Sequence, residues 1–151
     1  MMRKHNTLWC AGSAGSVELP VTGYHIPMLI YAPAIIKEPA VVDRLMAQID
    51  IPPTILGMLN FSYKSKFLGQ DIFRLPAGKE KAFISTYQGL GFIQGDRLII
   101  QSPVRKVEQF KPDFKTGSAT EESLNESLAR KAIAYYQVSA WLFKNKKYNR
   151  N

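Results

Sequence analysis

Cysteine and histidine are scarce in this 151-residue chain: one cysteine, Cys10, and two histidines, His5 and His25. A single cysteine excludes an internal disulfide and any multi-cysteine metal site. Two histidines argue against a histidine-rich metal centre. Long apolar runs are also missing. No stretch approaches the roughly 18 residues that a membrane-spanning helix requires. The start, MMRKHNTLWCAGSAG, is basic but then turns polar and glycine-rich, without the apolar segment of a signal peptide. The expectation is a chain that by itself neither spans a membrane nor exports itself. P-loop phosphate binding is excluded as well, since the small-residue stretch 11–16 lacks the GK[ST] ending.

What is present is ordinary globular material with a basic surface. Hydrophobic residues make up 46% of the chain and the net charge is +8. A domain of this length buries about 70% of its unfolded surface, enough for a real core. The charge favours anionic partners, although charge runs usually form a solvated face. Lys144, Lys146, Lys147 and Arg150 crowd one end, where they also complement a helix dipole.

The middle of the chain carries the clearest organisation. IPMLIY at 26–31 is apolar on both faces and predicts a strand buried on both sides. A proline-marked connection follows. Asp50 then predicts a helix cap, Pro52 and Pro53 suit a first turn, and 54–59 supplies two helical turns. Asp71 reads as a turn residue, and Asp43 as paired with Arg44 or solvated. Three short runs, 82–87, 90–94 and 97–101, are split by Gln88-Gly89 and Gly95-Asp96. They predict antiparallel strands, the second pair joined by a primed turn. VRKVEQF at 104–110 predicts a fourth, edge strand with Lys106 and Glu108 on one face.

A long helix is expected over 120–144, opened by a capping box at 118–121. Leu124, Leu128, Ala132, Tyr135, Tyr136, Ser139, Leu142 and Phe143 recur at helical spacing. Tyr135, Tyr136 and Trp141 invite a base-stacking role, but a stripe at this spacing faces a core. No nucleic-acid recognition motif accompanies them, and no nucleic-acid partner is expected. Cys10 has no Cys/His/Asn constellation around it and reads as a loop residue.

Several stretches taken in order go further: CAGSAGSVELP at 10–20, YHIPMLIYAP at 24–33, VDRLMAQIDIPPTILGMLNF at 42–61, then FLGQDIF, KAFISTYQGLGFI and AIAYYQVSAWLF. Together they resemble the C-terminal part of the sulfatase-like phosphoglycerol transferases, the group of lipoteichoic acid synthase, in the alkaline phosphatase superfamily. The resemblance covers 10–148 and leaves 1–9 unmatched, within one partial domain over 1–151. It implies an α/β class and a truncated C-terminal part of an alkaline-phosphatase-like fold, with a small antiparallel sheet packed by a long C-terminal helix.

The family's chemistry uses a threonine nucleophile, or a modified cysteine or serine in true sulfatases, beside a divalent metal. A parent enzyme would therefore be a metal-dependent hydrolase or transferase. It would use Mn or Mg and act on an anionic phospholipid or phosphoglycerol substrate. It would sit in the cytoplasmic membrane with its catalytic domain outside. The family's metal-binding Asp-His pair falls on Leu8 and Trp9, neither of which ligates a divalent ion. The resemblance implies no catalytic or metal residue and no cofactor in this chain, hence an inert remnant. His25 is the one substrate-proximal candidate, against a hydrogen-bonded structural histidine. The alternative is a non-catalytic basic module that binds anionic lipid or glycan.

Overall fold

A computed structural model of the chain describes residues 21–66, 68–86, 89–103 and 105–148. Five antiparallel strands follow one another in chain order: β1 (Lys81–Ser85), β2 (Leu90–Gln94), β3 (Arg97–Gln101), β4 (Val107–Pro112) and β5 (Ala119–Glu122). Sequential antiparallel pairing needs only short connections. Between β2 and β3 the connection is Gly95-Asp96. Gly95 has φ 60 and Asp96 keeps an ordinary negative φ, the pairing of angles that a type II′ hairpin turn uses. The primed turn expected from the sequence is therefore present.

Side chains alternate across the pleat, and here both faces are apolar. On one face Phe92 and Ile99 are fully buried against Ala132 of α2 (Glu126–Lys144), with Phe83, Val107, Leu128 and Tyr135 around them. On the other, Ala82, Ile84, Ile93, Leu98 and Ile100 pack with Val21, Tyr24, Leu45, Ala47 and Phe110. The sheet is thus covered by a helix on one side and by the segments 21–24 and 44–50 on the other. Tyr136 pins the helix to the sheet: its hydroxyl donates to the carbonyls of Gly91 at 2.7 Å and Ile84 at 3.3 Å. Phe83, Phe92 and Tyr135 meet as rings 5.3–5.7 Å apart.

Several expectations need correction. Residues 26–31 do not form a strand. They run as irregular chain with Ile26, Met28, Leu29 and Tyr31 exposed, Leu29 at 91% and Tyr31 at 86%. The reason is pairing: a strand needs hydrogen-bonded neighbours, and the described sheet ends at β1 and β5 without reaching this segment. The edge strand is β5 and not β4, which has partners on both sides. Lys106 and Glu108 do pair, at 2.7 Å.

The long helix starts at Glu126 and not at 120. Residues 119–122 pair with β4, and Asn125 is the cap, its side-chain oxygen accepting from the Leu128 N–H at 3.0 Å. A turn from Asp113 to Ser118, with Gly117 at φ 78, closes the β4–β5 hairpin, so the expected capping box is divided between this turn and β5. Two aromatics of the helical stripe also lie outside the core. Trp141 is 56% and Phe143 74% exposed, because the helix runs on past the sheet that covers its first turns.

The short helix is α1 (Ile51–Met58), with both prolines in its first turn as expected. A 3-10 helix, Gln48–Asp50, precedes it.

Candidate functional site

The residues that carry chemistry converge on one place, the junction of α1, the 68–75 loop and the start of β1. Asp50 is 3% exposed and both its oxygens are engaged. Oδ2 accepts from the Ala47 N–H at 2.9 Å and Oδ1 from the Gln70 N–H at 2.8 Å. Its side chain does not cap α1. It closes the 3-10 helix behind it and fastens the later loop. The correction has a local cause: the 3-10 helix puts Asp50 in the right-handed region, so its side chain turns back toward Ala47 instead of forward along α1.

Thr54 continues the tie. Its hydroxyl donates to the Asp50 carbonyl at 2.6 Å and accepts from the Ile72 N–H at 3.1 Å. The Lys81 ammonium hydrogen-bonds to the Gln70 side-chain oxygen and lies 5.3 Å from the Tyr135 ring centroid. Burial pushes Lys81 below the usual lysine value. Asp50 opposes this and Lys131 adds to it. Burial likewise raises the Tyr135 phenol, with the Asp50 charge adding to it.

Beside the junction, Arg44 forms an ion pair with Glu80 and donates to the carbonyls of Ile72 and Leu75. The Glu80 carboxyl is held below its ordinary value by its backbone hydrogen bond first and then by Arg44. Arg44 therefore serves Glu80 and not Asp43, which is exposed. Asp71 is a turn residue as expected: Oδ1 accepts from the Phe73 N–H at 3.0 Å.

This constellation is a brace. Asp50, Thr54, Lys81, Arg44 and Glu80 are each engaged by backbone or side-chain hydrogen bonds. His25 stands apart, exposed on the irregular chain after Val21–Tyr24, with its N–H to the Thr22 carbonyl at 3.4 Å. Among the described residues no group of three or more His, Cys, Asp or Glu side chains could hold a metal ion. The described residues therefore do not fit the divalent metal that the resemblance implies. Leu8, Trp9 and Cys10 lie outside the described residues. No described helix is long and apolar enough to cross a membrane.

Sequence reasoning missed the Lys81–Gln70 and Arg44–Glu80 ties. A lysine opening the apolar run KAFIS was the available signal for the first. For the second, nothing local links Arg44 to a carboxylate 36 residues away.

No family model matches the chain. Its structure is similar to the crystal structure of a protein in the alkaline phosphatase superfamily from Vibrio parahaemolyticus. The TM-score is 0.67 and the identity 26%, over 72% of this chain and 27% of that one. The antiparallel sheet with its C-terminal helix is thus a part of an alkaline-phosphatase-like fold, and the likeness supports that superfamily. This chain spans about a quarter of the length of the protein it matches.

Proposed function

We propose that the chain is the C-terminal portion of a sulfatase-like enzyme of phosphoric or sulfuric esters, with no turnover of its own. In that reading the intact enzyme is a membrane-associated phosphoglycerol transferase, taking Mn or Mg and an anionic phospholipid or phosphoglycerol substrate. Such an enzyme needs a nucleophile beside the metal. The observation that carries the reading is the backbone match to an alkaline phosphatase superfamily protein over 72% of this chain. The ordered set of motifs from 10 to 148 supports the finer family. The part played by this chain is then structural: the brace around Asp50 ties α1 to the loop that leads into β1, and the sheet and α2 form a unit on which a catalytic half can rest.

The test is turnover by the purified chain with Mn²⁺ or Mg²⁺, on bis(p-nitrophenyl) phosphate and on p-nitrophenyl sulfate. The expected result is no metal-dependent release of nitrophenol above the metal-only control. Clear turnover that EDTA abolishes overturns the reading.

A further inference from the structure

Two short runs far apart in sequence have the same make-up. FSYKSK at 61–66 and FKNKKY at 143–148 hold five lysines and four aromatics between them, with no acidic residue and no arginine. The fold brings them together: the Lys66 ammonium donates to the Lys147 carbonyl at 2.6 Å. All five lysines are exposed, and the four aromatics are between 44% and 74% exposed.

The end of α2 is shaped to present this composition. The Lys147 N–H donates to the Leu142 carbonyl and the Lys146 N–H to the Phe143 carbonyl, the paired bonds of a Schellman ending. That ending puts its reversal residue in the left-handed region, where glycine is easiest. Here Lys146 occupies it, at φ 53. The reversal lays Tyr148 back over Phe143, with ring centroids 5.9 Å apart and planes 17° apart. The result is a stacked aromatic pair in a run with three exposed lysines, tied through Lys66 to a second aromatic-lysine run.

We propose that this pole of the molecule docks on a membrane leaflet bearing anionic headgroups. Aromatic rings favour the headgroup level, and lysines beside them are drawn by the negative surface. Phe143 and Tyr148 are stacked on each other, so they do not offer the pair of open faces that would clamp a nucleobase. The proposal does not depend on the enzymatic reading above. It rests on the Lys66–Lys147 contact and the exposed aromatics.

The test is co-sedimentation of the whole chain with vesicles of phosphatidylglycerol and phosphatidylcholine, against phosphatidylcholine alone. Binding is expected only to the anionic vesicles, with loss at high salt and no displacement by soluble glycerol phosphate. The triple variant K144Q/K146Q/K147Q is expected to bind about a hundredfold more weakly, at about fivefold per lysine. The same charge loss at the other end of α2, in K79Q/R97Q/K131Q, is expected to cost less than about fivefold.

Lys146→Gly separates binding from folding. It relieves the left-handed backbone, so the melting temperature holds or rises, while vesicle affinity falls about fivefold. Equal binding to neutral vesicles, an unaffected triple variant, an equal loss in the distant control, or tighter binding to a single-stranded oligonucleotide overturns the proposal.

Discussion

The Asp50 carboxylate accepts the backbone N–H of Gln70 across 20 residues of chain, at 2.8 Å, while its other oxygen holds Ala47. One buried side chain thus joins the entry to α1 to the loop that leads to the sheet. Asp50→Asn keeps the shape but replaces one acceptor with an NH₂ donor facing an N–H. One buried backbone donor loses its partner, at a cost of about 1–3 kcal/mol. The expected outcome is a lower urea midpoint with an unchanged m-value. An unaltered midpoint would show that water replaces the lost acceptor.

Gly69 makes a second demand on the same loop. A Cβ at this position would run into the Ile49 carbonyl, a backbone atom that has no rotamer in which to yield. Gly69→Ala must displace either the 68–70 loop or the 3-10 helix behind α1. Overpacking of this kind costs about 1–3 kcal/mol. The Asp50–Gln70 bond is expected to weaken with it, so D50N and G69A should be less than additive when combined. Strict additivity in urea melts would show that the two act separately.

Tyr136 gives a prediction in alkali. Burial pushes its phenol up to about 12, above the ordinary 10. A folded value above the unfolded one means that the fold favours the neutral phenol. Its contribution is full below about pH 10 and is lost as pH rises toward 12. Spectrophotometric titration at the tyrosinate band should therefore show a component ionising near pH 12 that is absent in Tyr136→Phe. The variant also gives up the bonds to Gly91 and Ile84, at about 1 kcal/mol near neutral pH. Its stability should fall less steeply than wild type between pH 10 and 12.

These positions show which parts of the molecule were readable from its residues. β2 and β3 were legible because Gly95-Asp96 is a local turn signal between two apolar runs, and local signals need no partner to be interpreted. The start of α2 was not. A Ser-x-x-Glu pattern at 118–121 is also compatible with an edge strand, and pairing with β4 decides between them. The segment 26–31 failed for the opposite reason. Its apolar pattern describes a buried strand, but no described strand pairs with it. Asp50 was expected to cap α1, but its carboxylate turns back to the Ala47 N–H instead. Its second partner, Gln70, depends on tertiary placement that spacing does not encode. His25, the one substrate-proximal candidate, lies exposed on irregular chain and is no part of the brace around Asp50.

The exposed apolar segment sets the last prediction. Leu29 and Val41 are 91% and 97% exposed, and Ile26, Tyr31 and Val42 lie exposed near them in sequence. Exposed apolar side chains in such number promote association and dye binding. The chain is expected to bind ANS in its native state and to self-associate as concentration rises. Leu29→Lys with Val41→Lys removes apolar area and adds like charge at positions that contribute little to the fold. Exposed substitutions away from packing usually change stability by about 0.5 kcal/mol or less. The double variant should therefore lose ANS fluorescence and stay monomeric in sedimentation velocity at concentrations where wild type does not, with a melting temperature within a few degrees of wild type. If instead the melt collapses, these two side chains are packed in solution, and the segment has found a partner within the chain or in a second copy of it.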